Sequence, residues 1–133
     1  MDATDPRYIA RTNNYFARSR NITGEQIRKV ENIVATDPRY PIVKPVLVTD
    51  GFLCTEVWKP KGIVDPPHLH MDHEAVCYLI SGKVKLIIGD QEFIAEPGDY
   101  WCHPKGVMHY TEILEESVNI EIKIPPIKTW NLP

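Results

Sequence analysis

The chain has 133 residues, of which 43% are hydrophobic and 25% charged, and these values predict one folded domain rather than a disordered or fibrous chain. The net charge of −3 and the scattered lysines and arginines form no basic surface, so neither nucleic acid nor a membrane is expected as a partner. The polar first residues do not resemble a signal peptide, and no apolar stretch is long enough to span a bilayer. We therefore expect a cytoplasmic protein.

The cysteines support the same expectation. Cys54, Cys77 and Cys102 are an odd number at wide spacing, which is typical of neither a disulfide framework nor a CxxC zinc site. We predict reduced thiols, with Cys77 as a small buried hydrophobic residue.

The first 40 residues have the pattern of helix and loop. Thr23-Gly24-Glu25-Gln26 resembles a capping box at the start of a helix. Ile27, Val30 and Val34 follow at helical spacing and form one apolar stripe. We predict that residues 1–40 form an N-terminal helix/loop arm that packs on the following domain or on a partner subunit.

From residue 41 onward the pattern changes to short β-prone runs separated by turns. The predicted strands are Val43–Thr49, Phe52–Trp58, Glu74–Ile80, Val84–Ile88, a run around Tyr110, and Val118–Ile124, where apolar and polar residues alternate. The turn signals are Ser81-Gly82, Gly89-Asp90, Pro97-Gly98-Asp99 and Pro104-Lys105-Gly106. Close spacing of so many strands predicts an all-β sandwich or barrel over residues 41–133.

The five histidines all lie between residues 68 and 109. His68 and His70 are two residues apart, so on a strand both side chains point to the same face and can share one ion. His109 follows a glycine- and proline-containing turn that delivers it to the start of another strand. Imidazole is a ligand for zinc, iron, copper and nickel, so the residue types alone do not identify the metal.

The spacing around these histidines resembles the two motifs of the cupin superfamily. The first is Gly62-x5-His68-x-His70 with Gly82 at its end, and the second is Gly98-x5-Pro104-x-Gly106-x2-His109. Ile113 stands where the second motif often has asparagine, which is a departure from the family pattern. The resemblance covers about residues 41–126 and implies a double-stranded β-helix, or jelly roll, with a metal inside the barrel.

The resemblance also implies a set of metal ligands. His68, His70 and His109 match the three cupin histidines, and the fourth ligand in the family is an acidic residue. Counted forward from His70, that position is Glu74; counted back from Gly82, it is Ala75. Neighbouring strand residues face opposite ways, so the two alternatives are three histidines with Glu74, which requires a local bulge, or three histidines alone.

The other candidates are expected to have structural roles. We predict that His73 lies on the surface, whereas His103 either lines the pocket or packs in the core. Trp58, Trp101 and Trp130 are expected in the core or at an interface.

Several functions are compatible with such a site. A three-histidine centre resembles those of cupin dioxygenases, so the first hypothesis is an Fe(II) enzyme that oxidises a small oxygenated substrate, with no catalytic residue identified beyond the ligands. The second is a redox-neutral isomerase or lyase of keto or sugar acids that uses Mn, Zn or Ni. Its support is the segment Ile124-Pro125-Pro126 with Lys128-Thr129-Trp130, which is similar to the tail of small sugar-acid cupins. The third is a cupin that binds a small molecule without turnover. The extended, proline-rich end favours a homodimer.

Overall fold

The computed structural model describes residues 1–133 and consists almost entirely of antiparallel strands. One short 3-10 helix, Ser19–Asn21, precedes ten strands. The strands are β1 (Glu25–Gln26), β2 (Lys29–Val30), β3 (Ile33–Val34), β4 (Ile42–Val48), β5 (Leu53–Lys59), β6 (Val64–His68), β7 (Glu74–Ile88), β8 (Gln91–Ala95), β9 (Tyr100–His103) and β10 (His109–Ile124). No helix in the structure is long and apolar enough to cross a membrane.

Two long strands, β7 and β10, hold the barrel together. They pair with each other along almost their whole length, and each pairs with a different strand at its two ends. The first half of β7 pairs with β9 and its second half with β8, whereas β10 pairs with β6 near its start and with β5 near its end. Strand β5 continues the sheet to β4 and β1. The predicted all-β jelly roll is confirmed.

The predicted turn at Ser81-Gly82 is wrong, because β7 continues through it. Gly82 has a φ of 92°, and a Cβ added there would lie 2.3 Å from the carbonyl oxygen of Glu116. The facing part of β10 is irregular between Glu115 and Val118. Gly82 therefore does not end β7. It allows β7 and β10 to approach each other closely at a bulge. The predicted turn at Gly89-Asp90 is confirmed as the tight connection between β7 and β8.

The predicted helix after Thr23 is also wrong. Glu25 and Gln26 pair with β4, and residues 29–34 form a two-stranded hairpin. Gly24 lies so close to β4 that a Cβ there would meet Cγ2 of Ile42 at 2.2 Å. The open edge of β4 offers hydrogen bonds to this segment, and the β-branched Ile27, Val30 and Val34 suit a strand at least as well as a helix.

The barrel interior combines two apolar clusters with a polar centre. One cluster includes Leu79, Leu86 and Ile113, and the other includes Leu53, Val57 and Trp130. Between them, the end of β10 turns its polar residues inward, because Asn119 and Lys123 are buried and Glu121 faces the interior cavity. Its isoleucines point outward, and Ile124 is 49% exposed. The polar residues of this strand therefore form the wall of the site.

Candidate metal centre

The structure brings His68, His70 and His109 together at one end of the barrel interior. His68 ends β6 and faces His109, the first residue of β10, across the strand pair. The ring centroids are 4.2 Å apart for His68–His109, 4.9 Å for His68–His70 and 5.2 Å for His70–His109. One nitrogen from each ring lies within 4.8 Å of the other two, so the three residues could hold one ion.

Hydrogen bonds fix the orientation of two of these rings. Nδ1 of His68 lies 2.8 Å from the carbonyl oxygen of Pro66, and Nδ1 of His70 lies 2.7 Å from Oε1 of Glu31. Each Nδ1–H can donate to its oxygen, which leaves Nε2 as the nitrogen available to a metal. A carboxylate or carbonyl acceptor behind a ligating histidine is the usual arrangement at protein metal sites.

Glu31 was not found by the sequence analysis. It lies in the connection between β2 and β3, where its φ of 52° places it in the left-handed region. Its backbone N–H donates to the carbonyl oxygen of Thr129, which anchors the connection to the C-terminal segment. No local sequence signal marks this glutamate, because its partner His70 is 39 residues away along the chain.

The environment favours the neutral form of two ligand rings, those of His70 and His109. Burial, followed by the neighbouring His103, His68 and His70, lowers the pKa of His109 to about 3. Burial and the nearby His73 also lower the pKa of His70, although Glu31 opposes this effect. Nδ1 of His109 is buried and has no hydrogen-bond partner in the protein. Neutral imidazole is the form that binds metals, so the donor set fits a transition-metal ion.

Glu74 is not part of this group. Its side chain is exposed at the start of β7, whereas the neighbouring Ala75 is only 6% exposed and faces the interior. The structure therefore follows the register counted back from Gly82, and no bulge turns Glu74 inward. The three histidines converge without a carboxylate from β7.

The two remaining histidines are both close to the centre. The prediction that His73 lies on the surface is wrong, because it is 1% exposed, and its ring centroid is 4.4 Å from that of His70. Its Nδ1 is 2.9 Å from Oδ1 of Asp72, and Arg7 from the N-terminal arm pairs with the same carboxylate. His103 lines the interior and stacks on His109, with centroids 3.8 Å apart and ring planes 5° apart.

Charged residues lie deeper in the barrel, beyond the histidines. Lys123 pairs with Oε1 of Glu121 at 2.9 Å, and Lys59 pairs with Asp65. Burial acts to raise the pKa of Glu121, but Lys123 and His103 outweigh it and hold that pKa below its usual range. Burial likewise acts to lower the pKa of Lys59, but Asp65 outweighs it and the pKa is raised. Glu121 and Lys59 are therefore charged at neutral pH.

These residues surround a small cavity. Its volume is about 100 Å³, and its wall includes the three histidines together with Lys59, Glu121 and Lys123. A second cleft of about 430 Å³ lies between the β2–β3 hairpin and β6 and reaches His68. Its walls include the apolar Ile27, Ile33 and Val64. His68 therefore lies between the polar interior cavity and the less polar cleft, whereas His70 and His109 line the cavity alone.

The family of the chain follows from a sequence comparison. The family model Cupin_2, described as a cupin domain, matches residues 55–121, which is half of the chain. The protein is a cupin. A search of curated proteins finds no match to this cupin.

Solved structures agree with this assignment. The cupin is similar to KdgF from Halomonas sp., with a TM-score of 0.70 and 22% identity over 83% of this chain and 94% of that chain. It is also similar to an RmlC-like cupin from Shewanella frigidimarina, with a TM-score of 0.69 and 16% identity over 87% and 95% of the two chains. A predicted oxalate decarboxylase from Thermotoga maritima gives a TM-score of 0.70 and 17% identity over 83% and 98%. At these identities the likeness shows the fold alone.

Proposed function

We propose that His68, His70 and His109 hold one divalent transition metal and that this cupin is an enzyme acting on a small oxygenated organic substrate. The observation that carries the proposal is the convergence of three imidazoles beside a cavity with charged residues in its wall. Fe(II) is the favoured ion, with Mn, Zn and Ni as alternatives that imidazole also binds. When bound, such an ion would supply Lewis-acid polarisation and, as Fe(II), redox chemistry with dioxygen.

The first proposed reaction class is an Fe(II)-dependent dioxygenation. A site of three histidines has more free coordination positions than one that also has a carboxylate ligand, and Glu74 points away from this one. All three histidines line the cavity, and His68 also lines the larger cleft, so a substrate in the cleft and a gas molecule could both approach an ion at this centre.

A redox-neutral isomerase or lyase of a keto or sugar acid is the second candidate, and the charged interior favours it. Lys59 and Lys123 each pair with a single carboxylate, so each ammonium group has further N–H donors to offer to a substrate oxygen. Asn119 adds a buried amide on the same strand as Lys123. One similar structure is described as a predicted oxalate decarboxylase, which agrees with an acidic substrate.

Metal analysis and two substrate panels test these proposals. The metal content of untagged protein purified without chelators is measured first, and one ion per three-histidine centre is expected. Oxygen uptake with 1,3-diketones and aromatic keto compounds is then compared with turnover of keto-sugar acids under nitrogen. Oxygen consumption supports the dioxygenase, and anaerobic turnover supports the isomerase or lyase. If ligands raise the melting temperature and no substrate is converted, the protein is a binding cupin and the enzyme proposal is wrong.

We also propose that the cupin forms a homodimer through the outer face of β7 and β9. Val76, Ile80 and Tyr100 are exposed there, with 40%, 43% and 72% of their surface accessible. They lie on paired strands, which makes the apolar face continuous, and a second copy would cover it symmetrically. Sedimentation velocity tests this proposal. The protein is expected to sediment as a dimer and Ile80→Lys as a monomer, because the lysine would have to be buried in such an interface.

The reducing cytoplasm is the proposed compartment. All three cysteines are free, and Cys77 is buried. Thiols that remain unpaired are typical of proteins that fold in a reducing environment.

A further inference from the structure

A second cluster of metal-ligating side chains lies inside the barrel, formed by three different strands. Cys77 on β7 and Glu121 on β10 face each other across the strand pair, and His103 ends the neighbouring β9. Sγ of Cys77 is 3.5 Å from Oε2 of Glu121, and Nδ1 of His103 is 3.8 Å from the same oxygen. One donor atom from each residue lies within 4.8 Å of the other two.

The two distances to Oε2 of Glu121 are close to those of a tetrahedral site. With metal–sulfur bonds of about 2.3 Å and metal–nitrogen or metal–oxygen bonds of about 2.1 Å, neighbouring ligand atoms are roughly 3.4–3.6 Å apart. The thiol and the imidazole therefore need to move by only a few tenths of an ångström relative to Oε2. Lys123 holds the other oxygen of Glu121, Oε1, at 2.9 Å, and so directs Oε2 toward the cluster.

The hydrogen bonding of His103 leaves Nδ1 available to an ion. This nitrogen lies 3.8 Å from Oε2 of Glu121, which is too far for a hydrogen bond. A cation between Nδ1 of His103 and Oε2 of Glu121 would give Nδ1 a partner. The buried Nε2 has no partner in the protein, and the ion would not contact it.

We propose that Cys77, His103 and Glu121 form a second transition-metal site, for a thiophilic divalent ion such as Zn²⁺ or Co²⁺, distinct from the three-histidine centre. On binding, the thiol of Cys77 releases one proton to solvent and the sulfur becomes a thiolate ligand. The thiolate offsets one of the two positive charges of the ion, while the carboxylate of Glu121 already balances Lys123. The pairs of Lys123 with Glu121 and of Lys59 with Asp65 remain intact, so binding adds one net positive charge to the interior.

Titration with Co²⁺ tests this site, because a cobalt–thiolate bond gives an intense near-ultraviolet charge-transfer absorption that imidazole and carboxylate ligands do not give. The Cys54→Ser/Cys102→Ser double variant retains Cys77 as its one thiol. We expect it to bind two Co²⁺ ions per chain and to show the absorption. Cys77→Ser is expected to bind one ion without the absorption. His68→Ala is expected to bind one ion and to show the charge-transfer absorption.

The outcomes separate this site from the three-histidine centre. If the double variant binds cobalt without the charge-transfer absorption, the second site does not exist, whereas the three-histidine proposal stands. If the absorption disappears in His68→Ala, the thiolate belongs to a single shared site and the inference is wrong. Because the double variant leaves all three proposed ligands unchanged, the result does not depend on whether Cys77→Ser folds.

Discussion

Replacement of Glu31 by alanine is expected to weaken metal binding at the three-histidine centre without touching a ligand. Oε1 of Glu31 accepts a hydrogen bond from Nδ1 of His70 at 2.7 Å and thereby fixes the ring with Nε2 toward the other histidines. Without this acceptor the ring can rotate, and a ligating imidazole with no partner is a weaker base. The change therefore acts on the orientation and basicity of His70.

The size of the effect can be worked out from the contact. Loss of such a partner costs about 10–100-fold in metal affinity, or roughly 1.4–2.7 kcal/mol. The side chain of Glu31 is 36% exposed, and solvent screens part of its charge, so the lower end of the range, about tenfold, is expected. Glu31 has a φ of 52°, and alanine carries the same backbone cost as glutamate at this angle. Backbone strain therefore does not contribute to the difference.

The assay is competition for Zn²⁺ against a chromophoric chelator, carried out in the Cys77→Ser background so that only the three-histidine centre titrates. Glu31→Gln keeps an oxygen that can accept from Nδ1–H, and it is expected to recover most of the lost affinity. Glu74→Ala is the matched control, because this carboxylate is exposed and contacts none of the three histidines. Unchanged affinity in Glu31→Ala would refute the idea that the N-terminal arm orients His70.

Three further results are expected. His109→Ala should lose the ion at the three-histidine centre, whereas Glu74→Ala should keep it, as measured by metal content after dialysis; loss of the ion from the glutamate variant would restore Glu74 as a ligand. Gly82→Ala should lower the free energy of unfolding by roughly 2–5 kcal/mol, because overpacking costs about 1–3 kcal/mol and a positive φ about 1–2 kcal/mol. Gly98→Ala should show only the second cost, since Gly98 has a φ of 96° but nothing within 4 Å of an added Cβ; equal urea midpoints for the two variants would contradict this reasoning. Finally, folding lowers the pKa of His103 to about 4 and that of His109 to about 3, from the ordinary 6.5. Between these pKa values and pH 6.5, the unfolded chain binds protons at the two rings that the folded chain does not bind. Stability in the presence of a chelator should therefore be complete above about pH 6.5 and fall at lower pH, by up to about 1.4 kcal/mol per pH unit for each ring; a flat urea-unfolding profile through that range would show that these rings are not buried in the neutral form.

Which strands exist could be predicted from the sequence, but how they continue through the barrel could not. The runs at Phe52–Trp58 and Val118–Ile124 correspond to parts of β5 and β10. Gly82 has the composition of a turn, yet it lies within a continuous strand, because the backbone of β10 passes directly beside it. The apolar residues after Thr23 have helical spacing, yet Glu25 and Gln26 pair with β4. A short isolated helix is only marginally stable in water, whereas the open edge of the sheet offers backbone hydrogen bonds to this segment.

The sequence by itself determined which histidines could share an ion, since two lie two residues apart and the third follows a turn at the cupin spacing. It also determined that the end of β10 alternates polar and apolar residues. Only the tertiary structure decided that Glu121 and Lys123 face the interior while Ile124 faces outward. Alternation of polar and apolar residues assigns them to opposite faces of the strand, but it does not tell which face the rest of the protein buries. The same holds for Glu31, whose contact with His70 depends on a chain reversal that brings distant residues together.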